Sequence, residues 1–279
     1  MKNAMQLKAI MKAVAKEKRI SVQLVLQNYM LERLLERIAL SRYRDNFILK
    51  GGFLIAAIVG LHTRATMDMD VTAKGVPVNA DEVRRMFEEI SLIAVDDGID
   101  FVVKRAEEIR ELDEYAGIRL TLEAMYPPMA VPLKVDITTG DKITPREIQF
   151  QFKLMLEPRS ISVLAYNIET VLAEKLETLV SRGDQNTRMR DYYDVYILHK
   201  MQWQNVDPAA LKAALTATVT KRGSTVVMDR YLSIMQSVAD SDVMQQRWGV
   251  YKQEFEYAKD IELRDACLSA MEILESTLK

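Results

Sequence analysis

Asp68 and Asp70 lie one residue apart in Thr66-Met67-Asp68-Met69-Asp70-Val71-Thr72, a segment whose alternation predicts a strand from Met67 to Thr72. Residues i and i+2 of a strand face the same way. Two carboxylates side by side repel each other unless a positive charge sits between them. A divalent cation that prefers oxygen ligands, typically Mg²⁺, meets that need. Upstream, Lys50-Gly51-Gly52 opens an apolar segment from Phe53 to Leu61. A glycine pair, a short apolar stretch and Asp-x-Asp on an apolar strand form a metal-and-phosphate layout. Alone, Asp-x-Asp also describes an ordinary solvated strand face or turn.

Three further groups carry possible chemistry. Asp136 lies in the apolar strand Leu133-Lys134-Val135-Asp136-Ile137 and faces the same way as Lys134. A carboxylate there is paired, metal-bound or on a solvated edge. In Ile168–Arg182, the apolar stripe Val171, Leu172, Leu176, Leu179 and Val180 leaves Lys175, Thr178 and Arg182 on a polar face. That face is either a salt-bridged surface or a cationic one aimed at phosphate oxygens. Finally, Arg188-Met189-Arg190-Asp191-Tyr192-Tyr193-Asp194 puts Asp191 and Asp194 on one helix face behind two arginines. Asp191 also suits a helix start, where the dipole favours an anion.

The elements that must position these groups follow from periodicity. A basic amphipathic helix spans 3–18, with Lys8, Lys12, Lys16 and Lys18 among apolar residues, and Ser21 caps a second helix that ends near Ala39. Phe47–Leu49 reads as a strand, and a helix starts at Gly51-Gly52. A helix from Asp81 to about Asp97 precedes strands at Phe101–Glu107, Ile118–Met125 and Leu133–Ile137. Gly117, Pro127-Pro128 and Gly140 punctuate them. Residues 46–155 therefore form a mixed α/β unit. Pro158–Leu164 reads as a connector, and beyond Asn167 the chain is helical, with four more helices expected after Pro208. The domain boundary is expected at 160, giving units 1–160 and 161–279.

Composition sets the outer bounds. The chain has 279 residues, is 49% hydrophobic and 28% charged, and carries a net charge of −2. It is not a basic nucleic-acid binder as a whole, so any such contact needs a local patch. Cys267 is the single cysteine, which excludes an internal disulfide and a cysteine zinc site and fits a reducing cytoplasm. His62 and His199 are isolated in sequence and give no metal signal. No apolar run approaches the ~20 residues of a membrane span, and the lysine-interrupted N-terminus is not a signal peptide.

Taken in order, Lys50-Gly51-Gly52, Arg64-Ala65-Thr66-Met67-Asp68-Met69-Asp70, Glu174-Lys175-Leu176-Glu177 and Arg190-Asp191-Tyr192-Tyr193-Asp194 resemble the motifs of the AbiEii-type nucleotidyltransferase toxins. These belong to the polymerase-β-like nucleotidyltransferase superfamily and occur in bacterial abortive-infection and type IV toxin–antitoxin systems. The resemblance runs over roughly residues 20–200 and includes Tyr29, Glu32-Arg33 and Arg37 in the lead-in helix. It implies an α+β fold: a polymerase-β-like core with a mixed sheet, flanked by N-terminal helices and a larger C-terminal helical domain. It also implies Mg²⁺-dependent transfer of a nucleotide from an NTP to an acceptor, with RNA and tRNA 3′ ends foremost. A protein side chain as acceptor, or a non-catalytic partner-binding protein keeping the fold, stand as alternatives.

The resemblance assigns Asp68, Asp70, Lys175 and Asp191 as catalytic, and Asp68 and Asp70 as metal ligands with Asp136 as a further carboxylate. Lys50, Gly51, Gly52, Arg64, Thr66, Arg182, Arg190 and Asp194 become nucleotide-binding candidates. A cognate antitoxin encoded nearby, which need not bind directly, and a cytoplasmic location without membrane contact complete the expectations. One departure is Phe53, where many superfamily members carry Ser or Thr after the glycines.

Overall fold

A computed structural model of the chain describes residues 3–109 and 117–278. It divides into two units, 1–141 with 148–165, and 142–147 with 166–279.

The first unit starts with α1 (Ala4–Lys18), capped by the Asn3 side chain, and α2 (Val22–Leu40). Ser21 caps α2 by accepting from the Leu24 N–H at 3.1 Å. There follow β1 (Phe47–Lys50), α3 (Gly51–Val59), β2 (Met69–Ala73), α4 (Ala80–Ser91), β3 (Asp100–Ile109), β4 (Gly117–Tyr126), β5 (Met129–Thr139), β6 (Ile148–Lys153) and β7 (Ser160–Ala165). The strands form one seven-stranded sheet in the order β3-β4-β5-β2-β1-β7-β6. It is mixed: β2 runs parallel to β5 and β1 to β7, while the other neighbours are antiparallel.

Strict alternation builds the core. Ile118, Leu120, Leu122 and Ala124 of β4 and Val131, Leu133, Val135 and Ile137 of β5 are buried. Helices α2 and α4 pack on these strands, and Leu31, Leu34 and Phe87 of those helices are buried too. The opposite face of the same strands carries Arg119, Thr121, Lys134 and Asp136.

Four local expectations are corrected. Residues 158–164 are no connector: β7 occupies Ser160–Ala165, burying Ile161, Val163 and Ala165 beside β1. Pro158 and the serines resemble a linker, but the two-residue alternation decides the structure. Its partner β6, Ile148-Gln149-Phe150-Gln151-Phe152-Lys153, carries the same two-residue alternation, although no strand was expected there. Helix α4 stops at Ser91 rather than Asp97, because Ile93 and Val95 continue apolar content without continuing the helix. Strand β2 begins at Met69, so Asp68 lies just before it.

The second unit is helical: α5 (Ile168–Arg182), α6 (Met189–Gln202), α7 (Pro208–Arg222), α8 (Thr225–Met228), α9 (Tyr231–Asp240), α10 (Asp242–Glu254) and α11 (Leu263–Leu278). Five helices rather than four follow Val206 among the described residues, one of them a single turn. Trp248 is buried and donates to the Ile261 carbonyl at 2.8 Å, so it is a core residue. No helix among the described residues is long and apolar enough to cross a membrane.

Candidate active site

The sheet register lines up charges in a row across four strands. Lys50 of β1 pairs with Asp70 of β2, Asp70 with Asp136 of β5, and Asp136 with Arg119 of β4. Residues opposite one another in a sheet share a face. Two carboxylates therefore sit side by side between two cations, and Asp68 stands one residue outside the strand.

The cations are engaged from the flanks. Arg119 donates Nε to Asp136 Oδ1 at 2.8 Å and Nη2 to Oδ2 at 2.7 Å, a two-pronged contact that holds both oxygens. Lys50 Nζ donates to Thr138 Oγ1 and to Asp141 Oδ2, each at 2.7 Å. Burial opposes ionisation of Asp141, but Lys50 and the hydroxyls of Thr72 and Thr138 outweigh it and hold the carboxyl well below its usual range. For Asp68, burial raises the carboxyl above its ordinary value; Lys134 pulls it down, and Asp70 and Asp136 push it up. Asp68 is thus a half-buried carboxylate in an anionic neighbourhood, where a cation favours its charged form.

The glycines make room for this arrangement. Gly51 starts α3 with φ +64°, and a Cβ built on it would fall 2.0 Å from Asp70 Oδ2. A Cβ on Gly52 would meet Arg64 Nη2 and Thr66 Oγ1, each at 3.0 Å. The paired glycines thus admit Asp70 on one side and Arg64 with Thr66 on the other. Arg64 is buried and donates Nη1 to the Ala65 carbonyl. No side-chain hydrogen bond caps the start of α3, and a helix N-terminus of this kind favours anions. Phe53 is turned into the core, stacked on Phe152 of β6 with centroids 5.5 Å apart.

A second cluster lies within the helical unit. Asn167 accepts from the Thr170 N–H at 2.7 Å and starts α5, which packs along α6. Lys175 Nζ of α5 reaches Asp191 Oδ1 at 2.7 Å and Asp194 Oδ2 at 2.8 Å, both on α6. Arg188 Nε lies 3.0 Å from the other Asp191 oxygen. All but Arg188 are nearly or fully buried. Burial would discharge Lys175, but the two aspartates hold its ammonium above its ordinary value; burial would likewise raise Asp191, and Lys175 with Arg188 lowers it. Thr178 turns back to the Glu174 carbonyl and accepts from Arg222. Arg182 is half-buried and Arg190 exposed.

The sequence candidates thus fall into two sets: Lys50, Gly51, Gly52, Arg64, Thr66, Asp68, Asp70 and Asp136 in the first unit, and Lys175, Arg182, Arg190, Asp191 and Asp194 in the second. Sequence reasoning missed Arg119 and Asp141. Arg119 is recognisable only once the β4–β5 register is known, and Asp141 follows Gly140 in a loop with no periodic signal.

Residues 33–270 match the model of the nucleotidyl transferase AbiEii toxin family, type IV toxin–antitoxin system. The chain belongs to the AbiEii nucleotidyltransferase toxin family. The match includes every site residue above. Two solved structures resemble this AbiEii chain in fold. One is a candidate nucleotidyltransferase from H. pylori, with a TM-score of 0.55 at 14% identity, covering 92% of this chain and 95% of that one. The other is JHP933 from Helicobacter pylori, with a TM-score of 0.54 at 14% identity, covering 91% of each chain. No curated protein matches the chain. The α+β fold with its mixed sheet and helical second unit is therefore that of a nucleotidyltransferase.

As to a metal, no group of three or more His, Cys, Asp or Glu side chains is placed to hold one among the described residues. The carboxylates that could serve as donors are Asp68 and Asp70, since both Asp136 oxygens are engaged by Arg119. Two carboxylates suit Mg²⁺, which keeps waters and takes phosphate oxygens as its remaining ligands instead of sitting in an all-protein cage.

Proposed function

We propose that this AbiEii nucleotidyltransferase transfers a nucleoside monophosphate from an NTP to the 3′ end of RNA, tRNA foremost, with Mg²⁺ as cofactor. The observation that carries the reading is the row Lys50–Asp70–Asp136–Arg119, with Asp68 beside it and the uncapped start of α3 next to Asp70. Asp68 and Asp70 would hold Mg²⁺, which neutralises phosphate charge and lowers the pKa of an attacking hydroxyl. The Gly51 and Gly52 amides would receive phosphate oxygens. Lys50 and Arg64 would add positive charge beside them. Phosphoryl-group transfer depends chiefly on such positioning and charge compensation.

For the RNA, the proposal relies on local charge. Lys8, Lys12 and Lys16 are exposed at four-residue spacing along α1, which puts them on one stripe. Arg182, Arg188, Arg190 and Lys221 are further candidates. A surface that neutralises phosphates makes acceptor binding fall steeply with salt. Capping tRNA ends would block aminoacylation and arrest growth, the outcome a cognate antitoxin would counter without necessarily touching the toxin. Phe53 lends no weight to a non-catalytic reading, because its ring fills the core against Phe152.

The test is incubation with each labelled NTP, Mg²⁺ and total cellular RNA, resolved on a gel. Label in a tRNA-sized band supports the reading. Label in protein alone would move the acceptor to a side chain, and no label with any NTP would overturn the activity.

A further inference from the structure

Asp70 is fixed by ladder bonds on both sides of β2, but Asp68 is not, because residues 65–68 lie outside any strand. Something else must hold the chain there, and two buried amides of α2 do so. Asn28, 4% exposed, donates Nδ2 to the Thr66 carbonyl at 2.6 Å and to the Leu24 carbonyl at 2.9 Å. Gln27, 8% exposed, donates Nε2 to the Met67 carbonyl at 3.0 Å and to the Pro132 carbonyl at 3.2 Å.

The acceptors matter. Thr66 and Met67 are the two residues before Asp68, and Thr66 is also the residue whose hydroxyl abuts Gly52. Pro132 is on β5, four positions before Asp136 on the same strand face. A single Gln27 amide group therefore ties the approach to Asp68 to the strand that carries Asp136. All four acceptors are backbone carbonyls, so only a donor satisfies them, and an amide NH₂ supplies two hydrogens from one atom. A carboxylate or an apolar side chain of the same size cannot replace it.

We propose that Gln27 and Asn28 are positioning residues of the nucleotidyl-transfer site, whose two side-chain amides hold the backbone before Asp68 in register with β5. The inference rests on the reading of Asp68 and Asp70 as the metal pair. Residues that orient metal ligands through hydrogen bonds typically change metal affinity or activity by 10–100-fold when lost. Both amides donate to backbone carbonyls, so their effect would pass through Asp68.

The test uses Mn²⁺ as a probe of the metal site in the full-length protein, with Asn28→Leu, Gln27→Met and Asp70→Asn compared with the parent. The expected result is Mn²⁺ binding weakened roughly tenfold or more in both amide variants, faster amide exchange at Met67 and Asp68, and a fall in kcat larger than the change in KM for NTP. Gln245→Met, which removes a side-chain amide bonded to the Ala239 carbonyl in the second unit, serves as the control for loss of stability alone. Asp70→Asn separates the two readings. If it loses Mn²⁺ while both amide variants bind within twofold of the parent, the positioning role is overturned and the metal pair stands. If Asp70→Asn binds Mn²⁺ like the parent, both fall. Should Asn28→Leu fail to fold, Gln27→Met alone decides.

Discussion

Gly51 and Asp70 occupy space that only one of them can fill: a methyl group on Gly51 would lie 2.0 Å from Asp70 Oδ2. The glycine is therefore a condition for where the central carboxylate sits. Its φ of +64° adds a second reason, since that region disfavours any side chain.

Gly51→Ala is expected to abolish most nucleotidyl transfer and to lower stability by about 1–2 kcal/mol from the backbone alone. Gly52→Ala meets only the far ends of Arg64 and Thr66 at 3.0 Å, which can shift, so it should retain more activity. Urea unfolding and a transfer assay on both variants check this; equal activity in the two would remove the Asp70 clash from the account.

Lys175 neutralises two buried carboxylates, so Lys175→Ala should act on the fold as well as on turnover. Removing one member of a buried ion pair typically destabilises by about 3–5 kcal/mol. Lys200, exposed on α6, should be silent when changed to Ala. Thermal unfolding of Lys175→Ala beside Lys175→Ala with Asp191→Asn and Asp194→Asn decides the matter. The triple variant is expected to regain much of the loss; no loss in the single variant would contradict the buried-triad geometry.

Glu32 sets a pH dependence of its own. It accepts from the Met155 N–H at 2.6 Å and from Arg33, with Glu36, Glu157 and Arg159 in the same network. Three carboxylates share two guanidinium groups, leaving one negative charge in excess. Burial pushes the Glu32 carboxyl from 4.5 up to about 7, Arg33 and the Met155 N–H opposing it. Between those values the folded chain binds a proton that the unfolded chain has released, so stability falls as pH rises and levels off above 7. The difference amounts to roughly 3 kcal/mol at most. Glu32→Gln should therefore gain on the parent between pH 5 and pH 8 in urea unfolding. A variant that loses ground over that range would contradict the assignment.

Several members of the two candidate clusters, one in each unit, stand out in residue order. The glycine pair, Asp68 and Asp70, Lys175 and Asp191 stand out because their types are unusual within apolar segments, and α3 and α5 follow from plain periodicity. What the sequence could not supply was register. That Asp136 lies opposite both Asp70 and Arg119 depends on non-local strand pairing between β2, β5 and β4, which leaves no mark in any single window. The β6–β7 pair was missed although its alternation is present in the residues. The serines and Pro158 made β7 read as a connector, and β6, despite its Ile/Phe–Gln alternation, is short and gains its place only through its ladder with β7.

The proposed metal role of the Asp68–Asp70 pair predicts a metal-dependent reaction. A chelator such as EDTA is expected to stop transfer, and Mg²⁺ or Mn²⁺ to restore it, while Ca²⁺, larger and less demanding of octahedral geometry, should restore it poorly. Full activity after exhaustive chelation would remove the metal from the proposal.

The most direct test is transfer of labelled nucleotide to tRNA by the parent and by Asp70→Asn, with circular dichroism on both. A labelled tRNA band is expected from the parent, none above background from the variant, and superimposable spectra from the two. A folded Asp70→Asn protein that labels tRNA at the parent's rate would contradict it.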